Sequence, residues 1–502
     1  MSLKRNVLAN YLGNGWGALM GLIFIPLYIK YMGMEAYGLI GINSVLQAGL
    51  TLFDAGITPT LSREMSRFSG GVHSVQSIRD LLRSLEIVGS IVALCFGFII
   101  FCLSGWLAEH WLQTTSLPKE SVIQAFSIMG MVTALRLPEG LYRGAVLGLQ
   151  KQVAFNVASA GLSTLRNLGA VLVLAFYSPT ISAFFVWNGF VSLVAVVLFA
   201  GLTYGNLPEG PNHGQFSMHE LRKIWRFAVG ILSTSILVLI LTQIDKLILS
   251  KILPLETFGK YTFVATISNS LLIFISPITQ AFYPRLTETL SQGNVEAAKR
   301  IFHVGSKLVT SIIGTAACLI FCFSEHLIFI WTGNRELAST TEYLLKVMTL
   351  GTLLNGFMNM PYMLMLAFGK PGFVAKVNFV AVLFLAPATL LVTPTFGAVG
   401  AAFVWVILNS GYVFIAAKFM FKKTLADEMR DWLANDLFKP FVVSLLSLLL
   451  FWFLKPDFAS RLYDGIFIGM AGSVSLVISL SCVLDEGILK FLKKYLRMDK
   501  NI

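Results

Sequence analysis

Arg136, Glu139 and Arg143 stand at i, i+3 and i+7 of an otherwise apolar stretch, a spacing that puts all three on one helix face. A further charge, Arg166, interrupts the next apolar stretch near its middle. Two arginines to one carboxylate leave net positive charge even when Glu139 is fully paired, and Arg166 adds to it. An arginine at the centre of a membrane helix costs about 2.5–3.5 kcal/mol on the insertion scale, so three of them require a reason. Two reasons stand open: a buried ion pair that fixes helix register, or a cationic cavity that receives an anion, where the guanidinium fork suits a phosphate.

Uncharged polar residues repeat the pattern. Asn10 and Asn14 are four apart in the first apolar stretch, and Asn43, Gln47, Thr51 and Asp54 follow one face of the second. Asn156, Ser159, Ser163 and Arg166 do the same in the fifth, and Thr262, Thr266, Asn269, Ser276 and Gln280 in the eighth. A polar group is costly against lipid and tolerated beside water, so each stripe faces either a neighbouring helix, as hydrogen-bonding glue, or a wet cavity. Asp245 and Lys246 in the seventh stretch either pair with neighbouring groups or couple an ion such as H+ or Na+.

The elements that must position these residues follow from composition. Of 502 residues 56% are hydrophobic and only 13% charged, where a soluble chain has about 25% charged. Mean hydropathy is +0.75. The apolar residues come in blocks of about 20, long enough to cross a hydrocarbon core about 30 Å thick, which predicts an all-α polytopic membrane protein. Strands of a barrel would alternate over about 10 residues, and these runs do not. Spans are placed near 7–29, 37–60, 84–104, 122–148, 153–177, 181–204, 227–250, 261–283, 308–331, 343–368, 373–393, 398–417, 441–454 and 465–484, about fourteen in all. With the N-terminus cytoplasmic, inner segments hold 24 Lys/Arg and outer ones seven, the other seven of the 38 lying in spans or at their edges. That bias predicts both termini inside and explains the net charge of +12 as topology, with no nucleic-acid partner. Lys4 and Arg5 precede an apolar stretch too long for a signal peptide and without a small-residue cleavage site, so it reads as a retained first span. The longest loops, near 205–224, 284–307 and 418–440, are inner ones, and the largest outer loop runs only from Gly105 to Ser121. None can fold into a catalytic domain. Ser217–Arg226 and Lys490–Lys500 mix basic and apolar residues as surface anchors do.

A repeat organises the spans. KYMGMEAYG at Lys30–Gly38 and KILPLETFG at Lys251–Gly259 share Lys, Glu, an aromatic and Gly at the same offsets, and LGLQK at Leu147–Lys151 echoes LAFGK at Leu366–Lys370. A separation of six helices gives both copies one orientation, hence two parallel-repeat six-helix lobes followed by two extra helices. The predicted divisions are an N-terminal lobe at 1–204, a cytoplasmic linker at 205–226, a second lobe at 227–421, and the last two helices with a basic tail at 422–502.

Other chemistries lack their residues. The Gly-Lys pairs at Gly259 and Gly369 are followed by Tyr and Pro, so no phosphate loop exists, and neither HExxH nor CxxC occurs. The six histidines are scattered, which predicts no metal site, and no cofactor is expected. All five cysteines lie in apolar blocks, where core packing accounts for them. Gly13, Gly17 and Gly21 make a small face suited to close helix packing.

The opening NYLGNGWGALMGLIFIPLYIKYMGMEAYGLIG and the end of the second span, LFDAGITPTLSREMSR, resemble bacterial oligosaccharide flippases of the Wzx type, in the superfamily that includes MATE drug exporters and the lipid II flippase. The resemblance rests on the turns Tyr37-Gly38 and Phe258-Gly259 and on Asp54, Ala55 and Gly56. It implies a MATE-like fold and translocation of an undecaprenyl-diphosphate-linked oligosaccharide from the cytoplasmic to the periplasmic leaflet of the bacterial inner membrane, by alternating opening of the lobes. The substrate diphosphate would meet Arg136, Glu139, Arg143 and Arg166. Membrane lipids, a polysaccharide polymerase and a chain-length regulator are the implied partners. Lipid II flippases carry arginines in the first span where this chain has Asn10 and Asn14, which points to a surface-polysaccharide repeat unit. Two other readings are a cation-coupled MATE-type exporter, which would favour acidic cavity residues, and a membrane glycosyltransferase or polymerase, which would need a larger outer loop than one holding only Glu109 and Glu120.

The topology is open to a direct test. Cysteines introduced at Thr115 and Ser460 should react with an impermeant thiol reagent added to intact cells, and one at Ser291 should stay protected. Labelling at Ser291 from outside would sink the topology.

Overall fold

The computed structural model describes residues 3–210, 214–456 and 460–483. The proposed anchor at Lys490–Lys500 lies outside them. Helices account for almost everything described: α1 Leu3–Ile23, α2 Ile25–Met32, α3 Met34–Ser69, α4 Val75–Trp106, α5 Lys119–Gly148, α6 Gln152–Phe176, α7 Ile181–Asn206, α8 Met218–Ile252, α9 Leu255–Ser270, α10 Ile275–Ser291, α11 Val295–Thr332, α12 Arg335–Phe357, α13 Asn359–Ala367, α14 Pro371–Gly411, α15 Ala417–Lys423, α16 Met429–Asp431, α17 Lys439–Phe453 and α18 Arg461–Val483. Lipid cannot satisfy backbone N–H and C=O groups, so a chain this apolar closes its hydrogen bonds within helices.

Among the described residues ten helices are long and apolar enough to cross a membrane, or eleven when the bent pair Met34–Leu52 and Gly56–Ser69 is one span. The sequence places about fourteen. The difference falls on α12, whose charged and polar residues dilute its apolar run, on Pro371–Lys423, a single apolar segment of 53 residues, and on α8. At about 1.5 Å per residue that segment is more than twice as long as the hydrocarbon core is thick. It is broken at Gly397, whose φ of 57° and ψ of −146° lie where side chains are not tolerated.

Two of the three expected loops are mostly helix: only 292–294 separate α10 from α11, and 418–440 holds α15, α16 and the π-helical turn Trp432–Phe438, while the loop near 205–224 becomes helical at Met218. The polar ends of these helices read as loops in the sequence because their apolar periodicity stops before the hydrogen bonding does.

Two compact units divide the chain, Met1–Thr262 and Phe263–Ile502. The sequence repeat places the boundary at 205–226. Compactness places it later because α8 packs along α3, with Gly56 against Ala228.

In the first unit α5 is the hub, packed on α3, α4 and α7. Its Gly140, Gly144 and Gly148 form a four-residue stripe against Asp54, Thr58, Ser62 and Met65 of α3. A methyl group at Gly144 would lie 2.8 Å from Thr58 Cγ2, so only glycine lets the helices approach this closely. The small face expected in the first span behaves differently. Gly13 abuts Asn156, while nothing lies within 4 Å of a Cβ built at Gly17 or Gly21. The repeated turns meet: Gly38 abuts Leu255, and Gly259 abuts Met34. Over them lies the loop between α4 and α5, whose Thr115, Ser116 and Leu117 N–H groups donate to Glu35 at 2.6, 2.8 and 3.2 Å.

In the second unit α11 is the hub, and the last two helices dock on it through Cys318, Phe323, Leu448, Ile468 and Ala471. Of the five cysteines only Cys318 is buried. Cys95, Cys102 and Cys482 are exposed on apolar helices, which corrects their assignment to the core: they lie on outward faces.

Gly397→Ala should therefore cost about 1–3 kcal/mol of stability, the penalty for a side chain in a glycine-only conformation. Its signature is a lower melting temperature of the purified protein, and an unchanged one would show that the break tolerates a side chain.

Candidate functional site

Glu139 lies on α5 facing α6, with a side chain only 3% exposed. Three guanidiniums surround it. Arg136 Nη1 is 3.4 Å from Oε2, Arg143 Nη1 is 3.2 Å from Oε1, and Arg166 Nη2 is 3.6 Å from Oε2. The two on α5 arrive by helical spacing, and Arg166 reaches across from α6, which packs on α1 and α7. Arg166 also donates to Ser192 Oγ on α7 at 3.2 Å. Phe155 and Phe199 hold Arg143 from the side, with ring centroids 5.0 and 5.5 Å from its guanidinium carbon.

The stoichiometry matters more than any one distance. Three arginines bring about fifteen N–H donors, and one carboxylate accepts about four hydrogen bonds. The side chains of Arg136, Arg143 and Arg166 are 29%, 37% and 14% exposed, so surplus donors reach an accessible surface while the shared anion does not. Arg136 Nε is buried without a partner among the described residues. A centre with two cations in excess and unused donors can bind an anion with several oxygens.

Other polar residues expected in a cavity sit at helix contacts. Asn156 is buried and donates to Asn10 Oδ1 at 2.6 Å, joining α6 to α1, and Asn43 Oδ1 accepts from Thr133 on α5 at 3.3 Å. Asp54 accepts from the Thr58 hydroxyl and lies against Gly140, beside Glu139 in the chain. Gln47 is half-buried and Asn14 exposed. Asn269 is exposed and belongs to the second unit. Asp245 Oδ2 accepts from Tyr261 at 2.6 Å, and among the described residues its buried Oδ1 has no partner and Lys246 makes no ion pair.

Two clusters were not foreseen. Glu86 accepts from Tyr142 at 2.8 Å, Tyr204 at 2.6 Å and Arg83 at 3.1 Å, which fixes α5 against α4 and α7 one residue from Arg143. Tyrosines in an apolar run give no sign of a shared carboxylate. In the second unit His303 stands between Asp436, 2.6 Å from Nδ1, and Glu428, 2.9 Å from Nε2, and Lys299 pairs with Glu428. Partial burial pushes the Glu428 carboxyl up, but Lys299 and His303 outweigh this and hold it below the usual carboxylate range. Glu428, His303 and Asp431 approach closely enough to share a metal ion. With both ring nitrogens on carboxylates and an ammonium on Glu428, the arrangement is an ion-pair network tying residues 428–436 to α11.

A model of the family described as polysaccharide biosynthesis protein matches residues 3–290, which include the arginine cluster, and one described as MatE matches residues 231–391. A curated protein of Shigella flexneri is 20% identical over 407 residues, 81% of this chain and 95% of its own length. One of Escherichia coli strain K12 is 25% identical over 335 residues, 65% of this chain and 75% of its own. Both names carry the words O-antigen transporter. Among solved structures, the lipid II flippase MurJ in an inward closed conformation has a TM-score of 0.71 at 13% identity, over 95% of this chain and 98% of its own. An inward-facing multidrug resistance MATE family transporter of the MOP superfamily has a TM-score of 0.65 at 14% identity, over 83% of this chain and 96% of its own. These likenesses establish an all-α, multi-pass membrane fold.

Glu139→Gln separates a sealed ion pair from an accessible cationic site. Losing one partner of a fully buried pair costs about 3–5 kcal/mol. Because the arginines here stay partly accessible, the variant should cost less, and its level in isolated membranes should hold within about twofold of wild type. Disappearance of the protein on an immunoblot would mean that the cluster is structural.

Proposed function

Because the chain belongs to the polysaccharide biosynthesis protein family, whose model matches more than half of it, we propose that it is a transporter that flips a lipid-linked oligosaccharide, of the O-antigen repeat-unit type, from the cytoplasmic to the periplasmic leaflet of the inner membrane. The observation that carries the reading is the excess of guanidinium over carboxylate around Glu139. A diphosphate presents several oxygens and at least two negative charges, and partly accessible arginines replace its hydration as it leaves water. Arg143 lies nearer the cytoplasmic end of α5 than Arg136, so the anion would meet the cations in succession. The relatives whose names carry O-antigen transporter support the substrate class.

The mechanism that fits is alternating access by two six-helix lobes with both termini inside. Counting α8, α12 with α13, and the two legs of Pro371–Lys423 on either side of Gly397 beside the other spans gives fourteen, the number that the repeat and two trailing helices require. The packed turns at Gly38 and Gly259 would then form an outer seal that parts when the substrate leaves. Asp245 would serve as a site of ion coupling, since a half-buried carboxylate bonded to a phenol can exchange a proton. The match to the MatE model admits drug export as a second reading, but a cation-lined site favours anionic cargo.

Arg136→Ala and Arg166→Ala should each lower surface polysaccharide by about tenfold or more in cells lacking the native gene, the loss of a charged hydrogen bond to substrate, with the protein present at its normal level. Lysine at either position should restore part of the activity, because it keeps the charge and loses the fork. Normal polysaccharide from both alanine variants would overturn the proposal.

A further inference from the structure

The segment Pro371–Lys423 turns back at Gly397, so its two legs run antiparallel and its ends, Lys370 and Lys423, come together: Lys370 Nζ donates to the Lys423 carbonyl at 2.5 Å. Between the legs lies a groove of 640 Å³ whose walls run from Phe373 and Phe419 near the joined ends to Phe384 and Ile407 deeper in. The walls are apolar apart from Lys376 and Tyr412. Two backbone features give the groove its width. The return leg carries a π-helical turn at Tyr412–Ala416, which bulges the helix. Gly411 just before it lines the floor, and a Cβ built there meets nothing within 4 Å.

The joined ends are strongly basic. Lys370, Lys376, Lys418, Lys422 and Lys423 are all exposed, and none pairs with a carboxylate among the described residues. Lys423 Nζ lies 5.4 Å from the Phe373 ring centroid, at the groove mouth. Five unneutralised ammonium groups above an apolar slot match an amphiphile with a negative head and a hydrocarbon tail. Lysines on flexible stems suit a mobile headgroup phosphate, whereas the fixed diphosphate site in the first unit uses arginine.

We propose that this groove binds an anionic phospholipid of the inner leaflet, one acyl chain lying between Phe373 and Ile407 and the phosphate held by Lys376, Lys418 and Lys422. The site lies in the second unit and does not depend on what the arginine cluster carries, so lipid binding and flipping can fail separately.

The test is native mass spectrometry of the full-length protein in mild detergent, titrated with phosphatidylglycerol, phosphatidylcholine or a polyprenyl phosphate. Phosphatidylglycerol should bind wild type about a hundredfold more tightly than the variant K376Q/K418Q/K422Q, from roughly fivefold per lysine. Gly411→Trp, which fills the floor, should abolish the same binding, and Gly411→Ala should leave it intact. Size-exclusion profiles establish that each variant is folded, and should the tryptophan variant aggregate, the lysine variant decides alone. Equal binding of phosphatidylcholine and phosphatidylglycerol, or phosphatidylglycerol binding unaltered in the lysine variant, would overturn the proposal. Preference for the polyprenyl phosphate would overturn it too, by assigning the groove to the substrate's tail.

Discussion

A single carboxylate, Glu139, decides how the first unit can be built. Guanidiniums in an apolar layer repel one another and must be neutralised or hydrated. Sharing one acceptor links α6 to α5, since Arg166 reaches Glu139 from a helix that otherwise packs on α1 and α7. Ser192 then ties α7 to the same point, and Glu86 with its two tyrosines secures the next turn of α5 against α4 and α7. The glycine stripe on the other face of α5 has the complementary role. With no side chains at 140, 144 and 148, α3 comes into backbone contact, and van der Waals packing replaces the hydrophobic effect that a membrane cannot supply between helices.

What was legible in the sequence is what depends on local spacing. The membrane class, most span positions and the shared face of Arg136, Glu139 and Arg143 follow from composition and the helical period. The repeat was visible at Lys30–Gly38 and Lys251–Gly259, but the job of Glu35 within it was not, because its three partners are backbone N–H groups 80 residues away. The polar stripes were legible as stripes and ambiguous in meaning: Asn10 and Asn156 bond to each other, a fact that needs the packing of α1 on α6. Gly17 and Gly21 show the converse error, a small-residue spacing that looked like an interface but has nothing within 4 Å of a built Cβ among the described residues. Helix ends were lost where polar residues continue a helix beyond its apolar part, as in α10 and α11.

The second unit uses its charges differently. His303, Lys299, Glu428 and Asp436 neutralise one another and fasten residues 428–436 to α11. The lysines flanking α14 and α15 are left without carboxylates among the described residues, and the break at Gly397 gathers them at one end. A glycine conformation in the backbone thus determines a charge density far from it, which no count of basic residues along the chain would reveal.

The excess of two positive charges around Glu139 also makes the first unit an electrical element. Moving one elementary charge through 100 mV corresponds to about 2.3 kcal/mol. On the proposed function, a site holding the diphosphate would be close to neutral, while an empty one would carry its full imbalance into the field. In that cycle a potential negative inside would pull the vacant site toward the cytoplasm and leave the occupied one nearly untouched, so the field would act on resetting rather than on carrying.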